Sequence, residues 1–189
     1  MALSYRLTTL ERLKTALGLP ASTSDDPKLD ALVDAATVAI ENYCDNGFVT
    51  RSYSEYSRAG INGHQGGARR IFLRRYPIQS VASITEAPSG TIPATDYLIY
   101  GDEGYLEHVS YWPAPDDRWT IAYTAGRFAS TTAVDEALRL ACHMLVEDWK
   151  RKPDGPVSST SSAQRSQSFT EADMPQRVKL VLEPYRSRL

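Results

Sequence analysis

The spacing of apolar residues near the N terminus is helical. Over residues 8–18 and again over residues 27–45, apolar side chains recur every three or four positions, which predicts two amphipathic helices. Thr8 followed three residues later by Glu11 predicts a capping box at the start of the first helix. Asp26, directly before a proline, predicts the cap of the second helix. The chain therefore begins with two helices separated by a short loop.

A period of two replaces the helical spacing over residues 48–126. This stretch is rich in β-branched and aromatic residues, which predicts an inserted antiparallel β part. Residues 97–100 and 105–107 lie on either side of a turn that begins and ends with glycine, and this arrangement predicts a β-hairpin. The other strands are predicted at residues 49–56, 71–73, 81–84 and 119–123.

A long helix is predicted from residue 132 to residue 152. Its apolar stripe consists of Val134, Leu138, Ala141, Leu145 and Trp149. Acidic residues in its first turn and basic residues in its last turn complement the helix dipole. Because helices precede and follow the β insertion rather than alternating with strands, residues 1–152 are predicted to form one α+β domain. Its architecture is a small helical bundle with an inserted antiparallel β part.

A polar linker and a short amphipathic segment follow the long helix. Residues 153–170 form a serine-rich linker, and residues 171–189 contain a helix for which Pro175 suits the first position. The apolar face of this helix consists of Met174, Val178, Val181, Leu182 and Tyr185. A helix of about ten residues is marginal alone in water, because nucleation costs more than so few hydrogen bonds return. The helix must therefore dock, and the linker is long enough for its docking surface to belong to another chain.

Bulk composition is that of an ordinary soluble globular protein. Apolar residues make up 42% and charged residues 23% of the 189-residue chain. No apolar run approaches the roughly 18 residues that span a membrane, so no membrane contact is expected. Cys44 and Cys142 fall on the apolar faces of predicted helices, which favours two buried thiols over a disulfide and hence a reducing compartment.

Charge is distributed in blocks of alternating sign. Residues 51–80 carry six basic groups and one acidic group, whereas residues 81–126 carry one basic and seven acidic groups. Such blocks can form complementary faces between neighbouring copies of one protein. They do not form the broad basic surface that is typical of a DNA-binding protein.

The strongest basic cluster consists of Arg69, Arg70, Arg74 and Arg75. In an extended strand, the odd-numbered and even-numbered members would point to opposite faces. Contact with DNA phosphates is one interpretation. Contact with another subunit, or pairing with acidic neighbours such as residues 116–117, is the other.

No residue constellation indicates catalysis, a metal site or a bound cofactor. The glycine-rich residues 60–67 lack the Lys-Ser/Thr ending of a phosphate loop and precede a strand, so an ordinary loop is expected. His143 and Glu147 are i,i+4 neighbours, but a metal site would need further ligands. No Ser–His–acid set is recognisable. The protein is therefore not expected to be an enzyme.

The order of these segments resembles the head–tail connector (adaptor) family of tailed double-stranded DNA bacteriophages and gene-transfer particles. The N-terminal part of the resemblance is carried by LTTLERLKTALGL and DDPKLDALVDAATVAIENYCDNGF. The central part is carried by LRRYPIQSVASI, DYLIY…GYLEH and WTIAYTAGR. The C-terminal part is carried by LACHMLVEDW and MPQRVKLVLEPYR.

This resemblance implies a structural role in the virion at the head–tail interface, after assembly in the host cytoplasm. Family members form a ring, usually of twelve copies, that joins the portal to a tail-side stopper or head-completion protein. Double-stranded DNA passes through the lumen of such a ring without sequence-specific binding. The C-terminal segment commonly reaches the portal, which gives the residue 174–185 helix an expected partner, although docking on a neighbouring copy stays open. The alternative function is a nucleic-acid-binding module that uses Arg69–Arg75.

Overall fold

A computed structural model describes residues 3–22, 24–58, 69–87, 90–110, 112, 118–151 and 174–186. The chain forms two compact units, and the fold class is α+β, as predicted. The helical unit comprises Met1–Phe48 and Ser130–Arg188. The β unit comprises Val49–Ala129.

Four α-helices build the described part of the helical unit. They are α1 (Leu10–Ala16), α2 (Asp26–Cys44), α3 (Glu136–Arg151) and α4 (Gln176–Leu182), and 3-10 turns cover Thr131–Ala133 and Glu183–Tyr185. Both α2 and α4 pack against α3. Four residues of the predicted stripe, Leu138, Ala141, Leu145 and Trp149, lie in α3 and are buried, and Val134, which precedes α3, is buried as well. Helical spacing in the sequence therefore identified the central helix of this unit and its core face.

The N-terminal cap of α1 differs from the predicted capping box. Thr9 occupies the cap position, and its hydroxyl accepts a hydrogen bond from the Arg12 backbone N–H at 3.3 Å. Thr8 is buried instead, with its hydroxyl 2.9 Å from Nε2 of His143. The predicted cap was wrong because a tertiary partner, which the local sequence does not reveal, engages Thr8.

The starts of α2 and α3 also depart from the prediction. Asp26 lies inside α2 and binds Nζ of Lys14 at 2.7 and 2.8 Å, so its carboxylate joins α1 to α2 instead of capping. Helix α3 begins at Glu136 rather than at residue 132, because a 3-10 turn precedes it. The side chain of Asp135 accepts a hydrogen bond from the Leu138 N–H at 3.1 Å, which supplies the cap at this later start.

The short helix α4 is part of the core of the helical unit. Met174, Val178 and Leu182 are buried, and the backbone carbonyl of Pro175 accepts the first hydrogen bonds of the helix. Pro175 is therefore the cap residue of α4 rather than its first helical residue. The hydroxyl of Tyr185 donates a hydrogen bond to Oδ2 of Asp135 at 2.7 Å. A helix too short to be stable alone is held here by packing on the chain's own α3.

Two antiparallel sheets build the described part of the β unit. A four-stranded sheet has the order β1-β7-β3-β4, and a three-stranded sheet has the order β2-β6-β5. The strands are β1 (Arg51–Arg58), β2 (Arg70–Phe72), β3 (Ile78–Ala87), β4 (Gly90–Thr91), β5 (Tyr97–Tyr100), β6 (Tyr105–His108) and β7 (Arg118–Ala125). The predicted hairpin is confirmed as β5 and β6, with Tyr100 opposite Tyr105.

The core of the β unit lies under both sheets and contains several large aromatic side chains. Trp112 and Trp119 meet edge to face with their centroids 5.5 Å apart, and both are buried. At Gly126 the backbone has a φ of 141°, and a Cβ atom there would lie 2.6 Å from the Thr50 backbone. Glycine is therefore required at residue 126, directly after β7, because the backbone of Thr50 lies too close for a side chain.

An ion-paired arginine fixes the N-terminal segment to α2. The guanidinium of Arg6 binds Oδ1 of Asp30 at 2.6 Å, Oδ1 of Asp34 at 2.5 Å and the Asp30 backbone carbonyl at 3.1 Å. The hydrogen bond from Arg6 lowers the pKa of Asp30 below its ordinary value of 3.8. Because the folded state then favours the charged carboxylate, Asp30 stabilises the fold above that pH and loses this contribution as the pH falls.

The tail helix provides a matched pair of leucines for a stability test. Leu182 is fully buried, so Leu182→Ala is expected to lower the free energy of unfolding by about 2–5 kcal/mol. Leu180 is 68% exposed, and Leu180→Ala is expected to change it by less than about 0.5 kcal/mol. Urea unfolding of the two variants measures both values. Equal effects would show that α4 does not belong to the core.

The Arg6 cluster makes a second test through the pH dependence of stability. Arg6→Met removes the partner of Asp30, so the variant is expected to be less stable at pH 6 and to lose less stability between pH 4 and pH 2. Arg12→Met is the control, because the partner of Arg12, Glu136, is 81% exposed. Urea midpoints measured across this range report the slope. Parallel curves for Arg6→Met and the unaltered protein would contradict the assignment.

Candidate functional site

The tail residues expected to bind a partner mostly face the chain's own core. Met174, Val178 and Leu182 are buried, Val181 is half-buried, and Tyr185 is half-buried and bonded to the helical unit. The opposite side of α4 carries Leu180, the most exposed large apolar side chain in the described part of the protein, beside the exposed Arg177. The docked helix therefore offers a partner its outward face, not its apolar anchors.

The C-terminal end of α4 is fixed by polar and aromatic contacts with α2. Tyr43 donates a hydrogen bond to Oε2 of Glu183 at 3.5 Å. Its ring lies 5.0 Å from the guanidinium of Arg186 and 5.9 Å from Nζ of Lys179. Tyr185 meets Phe48 edge to face at 5.9 Å between centroids. These contacts hold the outward face of α4 in one orientation.

Two residues of the arginine cluster share one carboxylate. Nε of Arg69 lies 3.2 Å from Oε1 of Glu107, and Nε of Arg70 lies 2.8 Å from Oε2 of the same side chain. Arg70 also lies over the ring of Tyr105 at 4.8 Å. The expected acidic partners, residues 116–117, are outside the described part of the chain. Both guanidinium groups remain half-exposed, so this end of the cluster combines positive charge with an aromatic neighbour.

The other two arginines follow β2 and are anchored differently. The backbone N–H of Arg74 donates a hydrogen bond to the Glu55 carboxylate at 3.0 Å. The backbone N–H of Arg75 donates to the hydroxyl of Tyr123 at 3.2 Å. That hydroxyl in turn donates to Glu55, and burial together with Glu55 raises the pKa of Tyr123. Because β2 ends at Phe72, the predicted strand-like alternation does not extend through all four arginines.

An exposed aromatic surface lies on the three-stranded sheet, and the sequence did not single it out. The aromatic sheet face consists of Arg70, Phe72, Leu98, Tyr100, Tyr105 and Glu107. Tyr100 and Tyr105 stack at 4.6 Å between centroids, and Phe72 lies 5.4 Å from Tyr105. Phe72 is 50% exposed and Leu98 54% exposed. On the other side of the same strands, Leu106 is buried, whereas Ile99 is 45% exposed.

A concave surface lies in the helical unit between α1 and α3. The α1–α3 groove has a volume of about 710 Å³, and its lining includes Arg12, Thr15, Ala16, Glu136, Leu140 and His143. Leu140 is 52% exposed, whereas Arg139 beneath it is buried and bonded to Glu136. Burial lowers the pKa of His143, so its ring is neutral near pH 7 beside Thr8. The groove combines an apolar leucine with a charged rim.

The other candidate chemical groups have structural partners. The carboxylate of Glu147 forms a salt bridge with Arg151 at 2.6 Å, so its partner is an arginine rather than a metal ion shared with His143. Within the described ranges, no group of three or more His, Cys, Asp and Glu side chains is arranged to hold a metal ion. Burial raises the pKa of Cys44 and of Cys142 to about 12, so neither thiol is a ready nucleophile. The glycine-rich residues 60–67 lie outside the described residues.

A helix that spans a membrane needs about 20 consecutive, mostly apolar residues. Among the described residues, none of the helices combines the length and the apolar character that crossing a bilayer demands.

Solved structures with a similar fold come from gene transfer agent (GTA) particles. A chain of a GTA virion structure aligns with a TM-score of 0.71 and 17% identity, covering 100% of this chain and 94% of that one. A chain from the neck of an empty GTA particle, computed with C6 symmetry, gives 0.69 and 17% identity, covering 97% and 91%. A chain from the neck of a native GTA particle, computed with C12 symmetry, gives 0.67 and 18% identity, covering 100% and 94%. At this identity, the likeness establishes the fold.

Sequence comparison establishes the family. No curated protein sequence is significantly similar to this one. The sequence profile described as "Head completion protein" matches residues 6–188, which include both compact units and α4. This match agrees with the resemblance to head–tail connectors, which was based on the order of the sequence segments. The chain belongs to the head completion protein family.

Proposed function

We propose that the protein is a non-enzymatic subunit of the adaptor ring that joins the portal to the tail-side neck components of a virion. The observation that carries this proposal is the family match over residues 6–188, which spans nearly the whole chain. The fold likeness to chains of GTA virion and neck structures supports the same location, the head–tail interface. The C12 symmetry of one of these neck structures supports a ring of twelve copies.

The ring contacts three kinds of partner in this proposal. The portal lies on its head side, and a stopper or a different head-completion protein lies on its tail side. Double-stranded DNA passes through its lumen without sequence-specific binding. Acidic and basic blocks alternate along the chain, and if they pair between copies the lumen of the ring is not strongly basic. Such a channel would let DNA pass without holding it.

The portal contact is assigned to α4 in its docked position. Met174, Val178, Val181, Leu182 and Tyr185 are the residues expected from the sequence. In this proposal the buried members orient the helix, while Leu180 and Arg177 on its outward face reach the portal. A contact of this size is weak in a single copy, but a ring engages many such helices at once. Attachment is then much firmer than one contact allows.

The portal contact is tested with Leu180→Glu. This change places a charge at the centre of the outward face of α4 and leaves the buried residues intact. It is expected to reduce the number of copies bound to portal-bearing heads at least tenfold, while the thermal unfolding of the free protein stays unchanged. Bound copies are counted from the mass of purified heads after incubation with the protein.

The matched control for this test is Tyr56→Glu, which changes a 59% exposed side chain in the β unit. It is expected to leave attachment unaffected. Normal attachment of Leu180→Glu would show that the portal contact lies elsewhere, although the adaptor function would stand. If the unaltered protein itself did not attach to heads, the adaptor function would be wrong.

The alternative function, nucleic-acid binding through Arg69–Arg75, makes a separate prediction. Because Arg69 and Arg70 share Glu107, the free protein is expected to bind duplex DNA no more tightly than about 100 μM at physiological salt. Removing both side chains is expected to change this affinity less than about threefold. Fluorescence anisotropy with a labelled duplex at several salt concentrations measures both. Tight, steeply salt-dependent binding that is lost in Arg69→Ala/Arg70→Ala would favour the alternative.

A further inference from the structure

We propose that adjacent copies in the ring join by seating the aromatic sheet face of one copy in the α1–α3 groove of the next. This inference rests on the proposed adaptor function and names the subunit contact within it. A rotational ring of identical chains uses heterologous contacts, so each copy needs two different surfaces that complement each other. The two compact units each supply one such surface.

The aromatic sheet face has the composition of a protein-binding hot spot. Aromatic residues and arginine are enriched at the centres of protein interfaces, and this face combines Phe72, Tyr100 and Tyr105 with Arg70. The stacking of the two tyrosines and the contact of Arg70 with Tyr105 fix these side chains before binding. Less side-chain entropy is therefore lost when a partner covers them.

The α1–α3 groove offers a complementary concave surface. Its volume of about 710 Å³ leaves room for side chains of a partner. Leu140 is 52% exposed there, so covering it with an apolar side chain such as Phe72 or Leu98 removes apolar surface from water. Removing such surfaces from water supplies the main favourable free energy of the contact.

Exposed charges of opposite sign lie at the edges of the two surfaces. The rim of the groove carries two exposed carboxylates, Glu11 and Glu136, and one exposed guanidinium, Arg12. The sheet presents two half-exposed guanidinium groups, Arg69 and Arg70, that share the single carboxylate of Glu107. Arg12 and the buried Arg139 both pair with Glu136, so Glu11 is the exposed carboxylate of the rim that is best placed to meet a guanidinium group of the sheet. Two sheet faces would instead bring arginines together, which favours pairing of the sheet with the groove.

Duplex DNA is a poorer occupant of the aromatic sheet face. Aromatic side chains bind nucleic acids by stacking on bases, and the bases of a duplex are already stacked on one another. The half-neutralised arginines also limit the phosphate attraction on which non-specific DNA binding depends. A second copy of the chain satisfies both the apolar and the charged features of the face.

Cross-linking between copies tests the pairing directly. Leu98→Cys and Leu140→Cys place one thiol on each surface, and a short bis-maleimide is applied after assembly on portal-bearing heads. An equimolar mixture of the two single variants is expected to give covalent dimers, whereas each variant alone stays monomeric. The double variant is expected to give a ladder of multimers. The native Cys44 and Cys142 are buried, so they contribute little background.

The control replaces Leu98→Cys with Tyr56→Cys, an equally exposed residue outside the aromatic sheet face, and is expected to give no dimers in the mixture. If Leu98→Cys alone gave dimers, two sheet faces would meet in the ring. If the mixture gave no dimers on normally assembled heads, the ring would use other surfaces. Either result overturns this inference and leaves the adaptor function intact. Failure of the unaltered protein to assemble on heads would instead overturn the adaptor function.

A second measurement does not depend on cross-linker geometry. Phe72→Glu and Leu140→Glu are each expected to reduce assembly on heads at least tenfold, while Tyr56→Glu assembles normally and all three fold as judged by circular dichroism. Intact rings that no longer recruit a tail-side protein after Phe72→Glu would assign the face to that protein. Loss of duplex binding without loss of assembly would assign it to DNA. Both outcomes contradict the subunit contact.

Discussion

The burial of α3 is the constraint on which the helical unit depends. Its inward residues leave almost no exposed surface: Leu138, Ala141, Cys142, Leu145, Val146 and Trp149. α2 and α4 supply cover for them, and Asp135 at the start of α3 also binds Tyr185 at the end of the tail. The short tail helix is stable for this reason, because α3 provides the apolar surface that seven helical residues cannot provide for themselves. The tail helix thus stabilises its own chain, whether or not it also takes part in assembly.

Periodicity was sufficient to identify the helices, the β-hairpin and the core stripe, because core positions repeat with the period of the element that carries them. The ends of the helices were less accessible. Thr8 and Asp26 are residue types that cap helices, but here His143 and Lys14 bind them. Those partners come from other elements, and a local pattern contains no information about them. The same limit applied to α4, whose apolar face was identifiable although its docking surface was not.

The interaction surfaces were harder to predict than the core for a related reason. Phe72 and Leu98 have the same apolar character as buried strand residues, and only the pairing of β2, β6 and β5 reveals which face is open. Pairing with acidic neighbours such as residues 116–117, which lie outside the described residues, was one interpretation of the arginines. Glu107, directly opposite Arg70 on the neighbouring strand, was not identified from the sequence. Register between distant strands decides both points. A single sequence does not specify that register.

The proposed ring contact and the proposed portal contact depend on the same physical property, the weakness of each single contact. Leu140 and Leu180 are single exposed apolar side chains, whereas Phe72 belongs to the small aromatic sheet face. A stable complex buries roughly 800 Å² per partner, and contacts built on so few apolar side chains are expected to be weaker in an isolated pair of copies. Closure of the ring changes this balance, because every copy is then held by two neighbours and by the portal together. In this proposal, cooperative assembly at one site in the particle follows from contacts that are individually too weak to assemble elsewhere.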